Sequence, residues 1–204
     1  MPDRPRAPPR AWQRMLSGRR LDLLDPSPLD VEITDIAHGL ARVARWNGQT
    51  VGRNAYSVAQ HTLLVDQIVE ATDPDLGAKA RLAVMLHDAP EYVIGDLISP
   101  FKALLGGRYQ EIEARLLTAI HRRFGVKTPL PARLQAKIKA GDRTAAYYEA
   151  ITLAGFTDTE ARRYFGRPRG PNPADLDLEP WPAVLAERRF LKRFNTLAKR
   201  ADRG

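Results

Sequence analysis

The chain has 204 residues, of which 44% are hydrophobic and 27% charged, the usage of a globular protein long enough for one compact domain. It contains no cysteine, which excludes disulfides, thiolate metal sites and cysteine nucleophiles. No stretch approaches the roughly 18 uncharged apolar residues of a membrane span, and no apolar signal segment follows the arginine-containing N-terminus, so we expect no membrane partner and a cytoplasmic protein.

The net charge of +8 raises the question of nucleic-acid binding. Residues 1–20 and residues 183–204 each carry a net charge of +5, so the 162 residues between them carry −2. The basic character therefore lies in the two ends, which favours solvated tails or helix faces over a nucleic-acid groove. A non-catalytic helical module that binds nucleic acid through these ends is kept as an alternative hypothesis.

The predicted elements, in chain order, are almost entirely helical. Residues 1–24 start with a proline- and arginine-rich stretch and are predicted to be a flexible basic segment, so residues 25–204 form the domain. Loops are predicted at 46–54 and 166–182. Helices are predicted from a Thr34 cap through Val43, for about 14 residues after a Ser57 cap, and over 78–88, 108–124, 131–154 and 183–201. No useful period-2 alternation is present, so the fold class is all-α.

Polar residues interrupt the apolar faces of three of these helices. His61 and Asp142 each lie on an apolar stripe, and His87 and Asp88 close a third helix. A buried, unpaired carboxylate is costly, so these groups are expected inside only if they meet each other or share a cation. The other interpretations are a core histidine bonded to a backbone carbonyl and an aspartate that caps a helix or pairs with arginine.

Two imidazoles and two carboxylates form a nitrogen and oxygen ligand set. Such a set suits divalent manganese, iron, cobalt, nickel or zinc and disfavours calcium. The sequence therefore indicates a divalent metal ion of undetermined identity as the cofactor.

The order of these residues resembles the HD-domain metal-dependent phosphohydrolases over about residues 31–155. The matching pieces are "YSVAQH", "VMLHD" and "KAGD", which end in His61, Asp88 and Asp142. Within that superfamily, "HDAPEYVIGDLISPFK" and the upstream "ARW" are similar to the bacterial 5'-deoxynucleotidase branch of the YfbR type. The resemblance implies a single-domain HD helical bundle and a homodimer.

The resemblance also implies roles for individual residues. His61, His87, Asp88 and Asp142 would bind the metal, and Glu91 and Asp96 would be the acid/base and water-positioning carboxylates at the substrate. Arg45 would hold the phosphate, and Trp46 would pack at the sugar and test for a 2'-hydroxyl. Separately from the resemblance, Ser99 follows "GDLI" and could donate to the phosphate or sugar, or else cap a short helix that starts at Pro100.

These observations lead to a functional hypothesis and its alternatives. We expect a metal-dependent phosphohydrolase, most simply a 5'-nucleotidase that removes phosphate from (deoxy)nucleoside 5'-monophosphates. The second enzymatic hypothesis keeps the metal site and takes a pyrophosphorylated nucleotide or another phosphoester. Glu91 and Asp96 distinguish the two enzymatic hypotheses from the nucleic-acid-binding module. A hydrolase needs at least one of these carboxyl groups, whereas a binding module needs neither.

Overall fold

The computed structural model describes residues 10–105 and 107–203, and it confirms the all-α fold class. None of the described helices is long and apolar enough to cross a membrane. Short 3-10 turns occur at Pro28–Asp30, Arg45–Gly48 and Pro173–Asp175. The described α-helices are α1 (Ile33–Leu40), α2 (Val58–Thr72), α3 (Ala78–Met85), α4 (Glu91–Ile94), α5 (Ser99–Leu105), α6 (Gly107–Arg123), α7 (Ala132–Thr152), α8 (Asp158–Phe165) and α9 (Ala183–Ala201).

Helix α2 lies at the centre of the molecule, in contact with α3, α7 and α9. Its apolar residues are buried on several sides, so its polar residues must find partners inside the protein. Asp66 does so by accepting from Arg81 Nε at 2.7 Å and from Arg193 Nε at 2.6 Å, which ties α2 to α3 and α9. His61, one turn from the start of α2, has its partners in the site described below.

Local sequence signals explain most helix boundaries. Ser57 caps α2 as predicted, since its side chain accepts from Gln60 N. The predicted cap at Thr34 is wrong: α1 begins at Ile33, after Glu32 at the N-cap, whose side chain pairs with arginines instead of capping. Helix α3 ends at Met85 rather than at residue 88, and residues 86–90 continue as tight turns into α4.

The expectation of a flexible segment over 1–24 is not met for its described residues, because residues 12–22 form a hairpin. Strands β1 (Trp12–Arg14) and β2 (Arg20–Asp22) pair antiparallel, and Leu21 is fully buried. Ser17 between them donates to the Asp35 carboxylate of α1 through its hydroxyl, at 2.5 Å. Strands of three residues are too short to show a period-2 pattern in the sequence. Residues 1–9 lie outside the described residues.

The C-terminal third is attached to the core by side chains of α2 and by its own helices. The buried Gln60 donates to Glu179 O at 2.6 Å and accepts from Trp181 N at 3.1 Å, which fixes the loop before α9. Helix α9 has the predicted bounds, 183–201. Helix α8 lies in a stretch to which the sequence analysis assigned no element, although Thr157 and Glu160 form a capping box there.

Gly39 allows α1 to approach α4, the helix that begins with Glu91. A Cβ atom at Gly39 would lie 2.7 Å from the Tyr92 backbone oxygen. We expect Gly39→Ala to lower the free energy of unfolding by about 1–3 kcal/mol through overpacking, measured by urea denaturation. The control is Gly107→Ala in α6, where no described atom lies within 4 Å of the added carbon, and stability should be unchanged or higher. Equal effects of the two changes would contradict this account of the α1–α4 contact.

Candidate metal centre

Four polar side chains that are distant in sequence converge at one point. They are His61 of α2, His87 and Asp88 of the turn after α3, and Asp142 of α7, and one ligand atom from each lies within 4.8 Å of the others. Gly141 permits this approach, because a Cβ atom there would lie 2.8 Å from the Val69 side chain of α2. The imidazole of His61 is fully buried, whereas the Asp142 carboxylate is 40% exposed and opens toward a pocket.

The hydrogen bonds of the two imidazoles indicate which nitrogen faces the cluster. His87 Nδ1 lies 2.8 Å from the Val84 carbonyl oxygen, which can only accept, so this nitrogen carries the proton. His61 Nδ1 lies 2.5 Å from Glu149 Oε1 and donates to that carboxylate. Both Nε2 atoms are buried and point into the cluster, and neither makes a hydrogen bond to the described part of the chain.

The Nε2 atoms instead lie against carboxylate oxygens. His61 Nε2 is 3.2 Å from Asp142 Oδ1 and 3.4 Å from Asp88 Oδ2, and His87 Nε2 is 3.1 Å from the same Asp88 oxygen. Lone pairs at these distances repel unless a proton or a cation lies between them. Burial acts to lower the pKa of His87, but the nearby Asp88 carboxylate outweighs this effect and raises the pKa.

A cation satisfies all four groups at once. It would accept both nitrogen lone pairs and offset both carboxylates, and the second nitrogen of each imidazole is already held by an acceptor, as is usual for histidine ligands. The four residues therefore fit a metal ion, and the group could hold one.

Glu149 is the buried residue of this site that was not predicted from the sequence. Its carboxylate is completely buried and accepts from His61 Nδ1 at 2.5 Å, from Trp46 Nε1 at 2.9 Å and from Arg45 Nε at 3.3 Å. Burial alone would raise the pKa of Glu149, but the charges of His61 and Arg45 and the bonds from His61 and Trp46 lower it to about 2. The signal in the sequence was its position seven residues after Asp142, on the same face of α7.

Arg45 and Trp46 belong to a short turn that is held by acidic groups. Arg45 Nη1 donates to Asp96 Oδ2 at 2.9 Å, so its guanidinium joins Asp96 to Glu149. Trp46 and Asn47 adopt left-handed backbone angles, with φ of 57° and 51°, which are uncommon for residues other than glycine. The Trp46 bond to Glu149 therefore secures a strained turn at the edge of the site.

Glu91 and Lys102 form the opposite side of the site. Glu91 is 2% exposed, and its Oε1 lies 3.3 Å from Lys102 Nζ. Its Oε2 has no hydrogen-bond partner within the described residues. Burial, together with the charges of Asp88 and Asp96, raises the pKa of Glu91 to about 9 against the opposing effect of Lys102. The raised pKa favours the protonated form of Glu91 in this arrangement.

A pocket of about 850 Å³ opens in front of these groups. Of the predicted site residues, His61 and His87 lie behind its surface, and the side chain of Ser99 lies outside the described part of the chain. The pocket combines carboxylates, cations and aromatic rings, with walls formed by Arg45, Trp46, Asp88, Glu91, Asp96, Leu97, Ile98, Lys102, Asp142, Arg143, Ala146, Phe156, Tyr164 and Phe165.

The buried Glu149 carboxylate should be important for stability. Glu149→Gln removes the charge that compensates buried cationic and donor groups, so the free energy of unfolding should fall by about 3–5 kcal/mol, measured by urea denaturation with chelator present. The control is Glu187→Gln, since Glu187 also contacts two cationic residues, Arg42 and His38, but at the surface, where a change of about 0–1 kcal/mol is expected. Similar losses in both variants would contradict a special role of the buried carboxylate.

Comparison with known proteins finds two relatives that each match more than four fifths of this chain. The uncharacterized protein RCAP_rcc00048 of Rhodobacter capsulatus is 59% identical over 195 residues, which cover 93% of this chain and 97% of that protein. The uncharacterized protein YfdR of Escherichia coli is 30% identical over 179 residues, which cover 83% and 86% of the two chains. No family model matches the chain. The chain therefore belongs to one protein family with RCAP_rcc00048 and YfdR.

Proposed function

We propose that this protein is a metal-dependent phosphomonoester hydrolase that acts on nucleoside 5'-monophosphates. The observation that carries the proposal is the convergence of His61, His87, Asp88 and Asp142 at one end of a pocket that also contains cations and aromatic rings. Such a pocket has groups for a metal, a phosphate and a planar ring. The resemblance of these four positions to the HD-domain phosphohydrolases points to the same chemistry.

The metal would be held by the Nε2 atoms of the two histidines and by oxygens of the two aspartates. This ligand set suits divalent manganese, iron, cobalt, nickel or zinc. A divalent ion bound there would supply a water of lowered pKa and polarise a phosphoryl oxygen. The bonds from His61 Nδ1 to Glu149 and from His87 Nδ1 to the Val84 carbonyl would keep both rings oriented for it.

The phosphate would be bound by the cations at this end of the pocket. Arg45 uses Nη1 and Nε for Asp96 and Glu149, which fixes its guanidinium and leaves Nη2 for a phosphate oxygen. Arg143 follows Asp142 and lines the pocket, and within the described residues it forms no ion pair. A bound phosphate would give Arg143 a partner, so we assign both arginines to the phosphate.

Proton transfer and the positioning of water are assigned to Glu91 and Asp96, the two carboxyl groups that line the pocket and bind no metal in this scheme. Glu91 Oε2 is buried and would carry the proton that the leaving alkoxide needs. The bond from Arg45 Nη1 to Asp96 Oδ2 keeps the Asp96 side chain in place, and its oxygens can accept a hydrogen bond from the attacking water. Trp46 would pack against the sugar, with its indole nitrogen fixed by Glu149.

The metal assignment gives a direct expectation. The protein purified without a histidine tag should hold about one divalent transition metal per chain, measured by mass spectrometry of the metal content. His87→Ala and Asp142→Ala should each remove it together with phosphate release. The control His38→Ala changes a histidine that contacts Glu187 at the surface and should keep the metal. Wild-type metal content in the two ligand variants would show that these positions are wrongly assigned.

The role of Glu91 is tested by phosphate release from nucleoside monophosphates. Glu91→Gln should retain the metal and lower kcat by roughly 10²–10⁴-fold, the usual effect of removing one proton-transfer group. The control is Glu113→Gln, because Glu113 also contacts Lys102 Nζ, at 3.4 Å, without lining the pocket. Loss of the metal from Glu91→Gln would make Glu91 a ligand, and a wild-type protein inactive on every nucleoside monophosphate would refute the proposed function.

A further inference from the structure

Four aromatic rings form one wall of the pocket, and we call Trp46, Phe156, Tyr164 and Phe165 the aromatic wall. The Trp46 ring lies 5.5 Å from Phe156 and 5.8 Å from Phe165, measured between ring centroids. Tyr164 extends the wall, at 6.4 Å from Phe156 and 6.5 Å from Phe165. The rings meet in tilted and edge-to-face pairs, the arrangement that aromatic side chains prefer.

Most of the aromatic wall lies beyond the part of the chain that carries the phosphohydrolase motifs. Phe156 precedes α8, and Tyr164 and Phe165 end it, whereas the metal, phosphate and proton-transfer groups lie between residues 45 and 143. Helix α8 thus adds to the pocket a surface that has no part in the proposed metal, phosphate and proton-transfer contacts.

Helix α8 is anchored, so the aromatic wall is preformed. Thr157 and Glu160 form a reciprocal capping box at its start, and the Tyr147 hydroxyl of α7 donates to the Asp158 carboxylate. Ala161 is fully buried against the core. A rigid platform binds a ligand ring with little loss of conformational entropy.

Tyr164 is the most exposed ring of the wall, and the guanidinium carbon of the neighbouring Arg163 lies 5.8 Å from its ring centroid. Tyr164 is 64% exposed, while Phe156 and Phe165 are partly buried. An exposed ring in a pocket with a phosphate-binding end is the arrangement that accepts a second planar ring by stacking. A phosphate ester without a ring would leave this surface in contact with water.

We propose that the part of the aromatic wall at α8, formed by Phe156, Tyr164 and Phe165, binds the nucleobase, and that Tyr164 selects base-bearing phosphate esters over ring-free ones. This inference rests on the proposed function, because the phosphate end orients the substrate toward the wall. It assigns a base-binding subsite to α8, whereas the contacts above concern only the phosphate and the sugar.

The test compares dAMP with 2-deoxyribose 5-phosphate, which has a hydroxyl at the carbon that bears the base in dAMP. Tyr164→Leu keeps an apolar side chain and removes the ring, whereas Tyr164→Phe keeps the ring and is the matched control. If the base stacks on this ring, Tyr164→Leu should lower kcat/KM for dAMP by about 5-fold or more. The kcat/KM of this variant for deoxyribose 5-phosphate should stay within about 2-fold of wild type. Tyr164→Phe should behave as wild type with both esters. Parallel losses on the two esters, or no loss on either, would overturn the inference.

A binding measurement separates this inference from the proposed function. Equilibrium dialysis of deoxyadenosine with chelator present needs neither turnover nor metal, and Tyr164→Leu should weaken binding by about 5-fold or more. If no ester is hydrolysed but this loss is found, the proposed function fails and the base subsite stands. If esters are hydrolysed and Tyr164→Leu binds deoxyadenosine as wild type does, the base subsite is wrong and the proposed function stands.

Discussion

The buried carboxylate of Glu149 is the interaction on which the arrangement of the site depends. A fully buried carboxylate is tolerated only with partners, and those of Glu149 come from α2 and from the turn after α1, through His61, Arg45 and Trp46. One group therefore orients a candidate metal ligand, the cation that we propose for phosphate binding, and the first ring of the aromatic wall. Helix α7 carries both Glu149 and Asp142, so a single rigid element fixes the site from two positions.

The balance of charge explains why the cluster and the pocket belong together. Acidic groups outnumber cationic side chains at the described site, by five to three. The carboxyl groups are those of Asp88, Glu91, Asp96, Asp142 and Glu149, and the cations are Arg45, Lys102 and Arg143. The raised pKa of Glu91 favours its uncharged form, which reduces this negative charge. A divalent cation among the histidines and aspartates would offset the rest, and the arginines would then be available to an anionic substrate.

The sequence predicted those parts of the structure that have strong local signals. The bounds of α9 and the Ser57 cap could be found because amphipathic spacing and a capping side chain are local. His61 and Asp142 could be singled out because each is polar on an apolar face. Glu149 could not be recognised in the same way, since its three donors come from other segments and only the fold shows that they meet. The hairpin at 12–22 depends likewise on a distant contact, from Ser17 to Asp35.

The left-handed turn at Trp46 and Asn47 has a consequence for how this backbone could be redesigned. That conformation costs most non-glycine residues roughly 1–2 kcal/mol and costs asparagine less, and here Trp46 and Asn47 adopt it in succession. An idealised sequence would place glycine at position 47 and gain stability, because glycine adopts a positive φ without strain. It would also loosen the segment that holds the indole against Glu149. The residues present give a less stable turn that holds the Trp46 indole in a fixed position. At this turn, the position of a side chain matters more than the stability of the backbone.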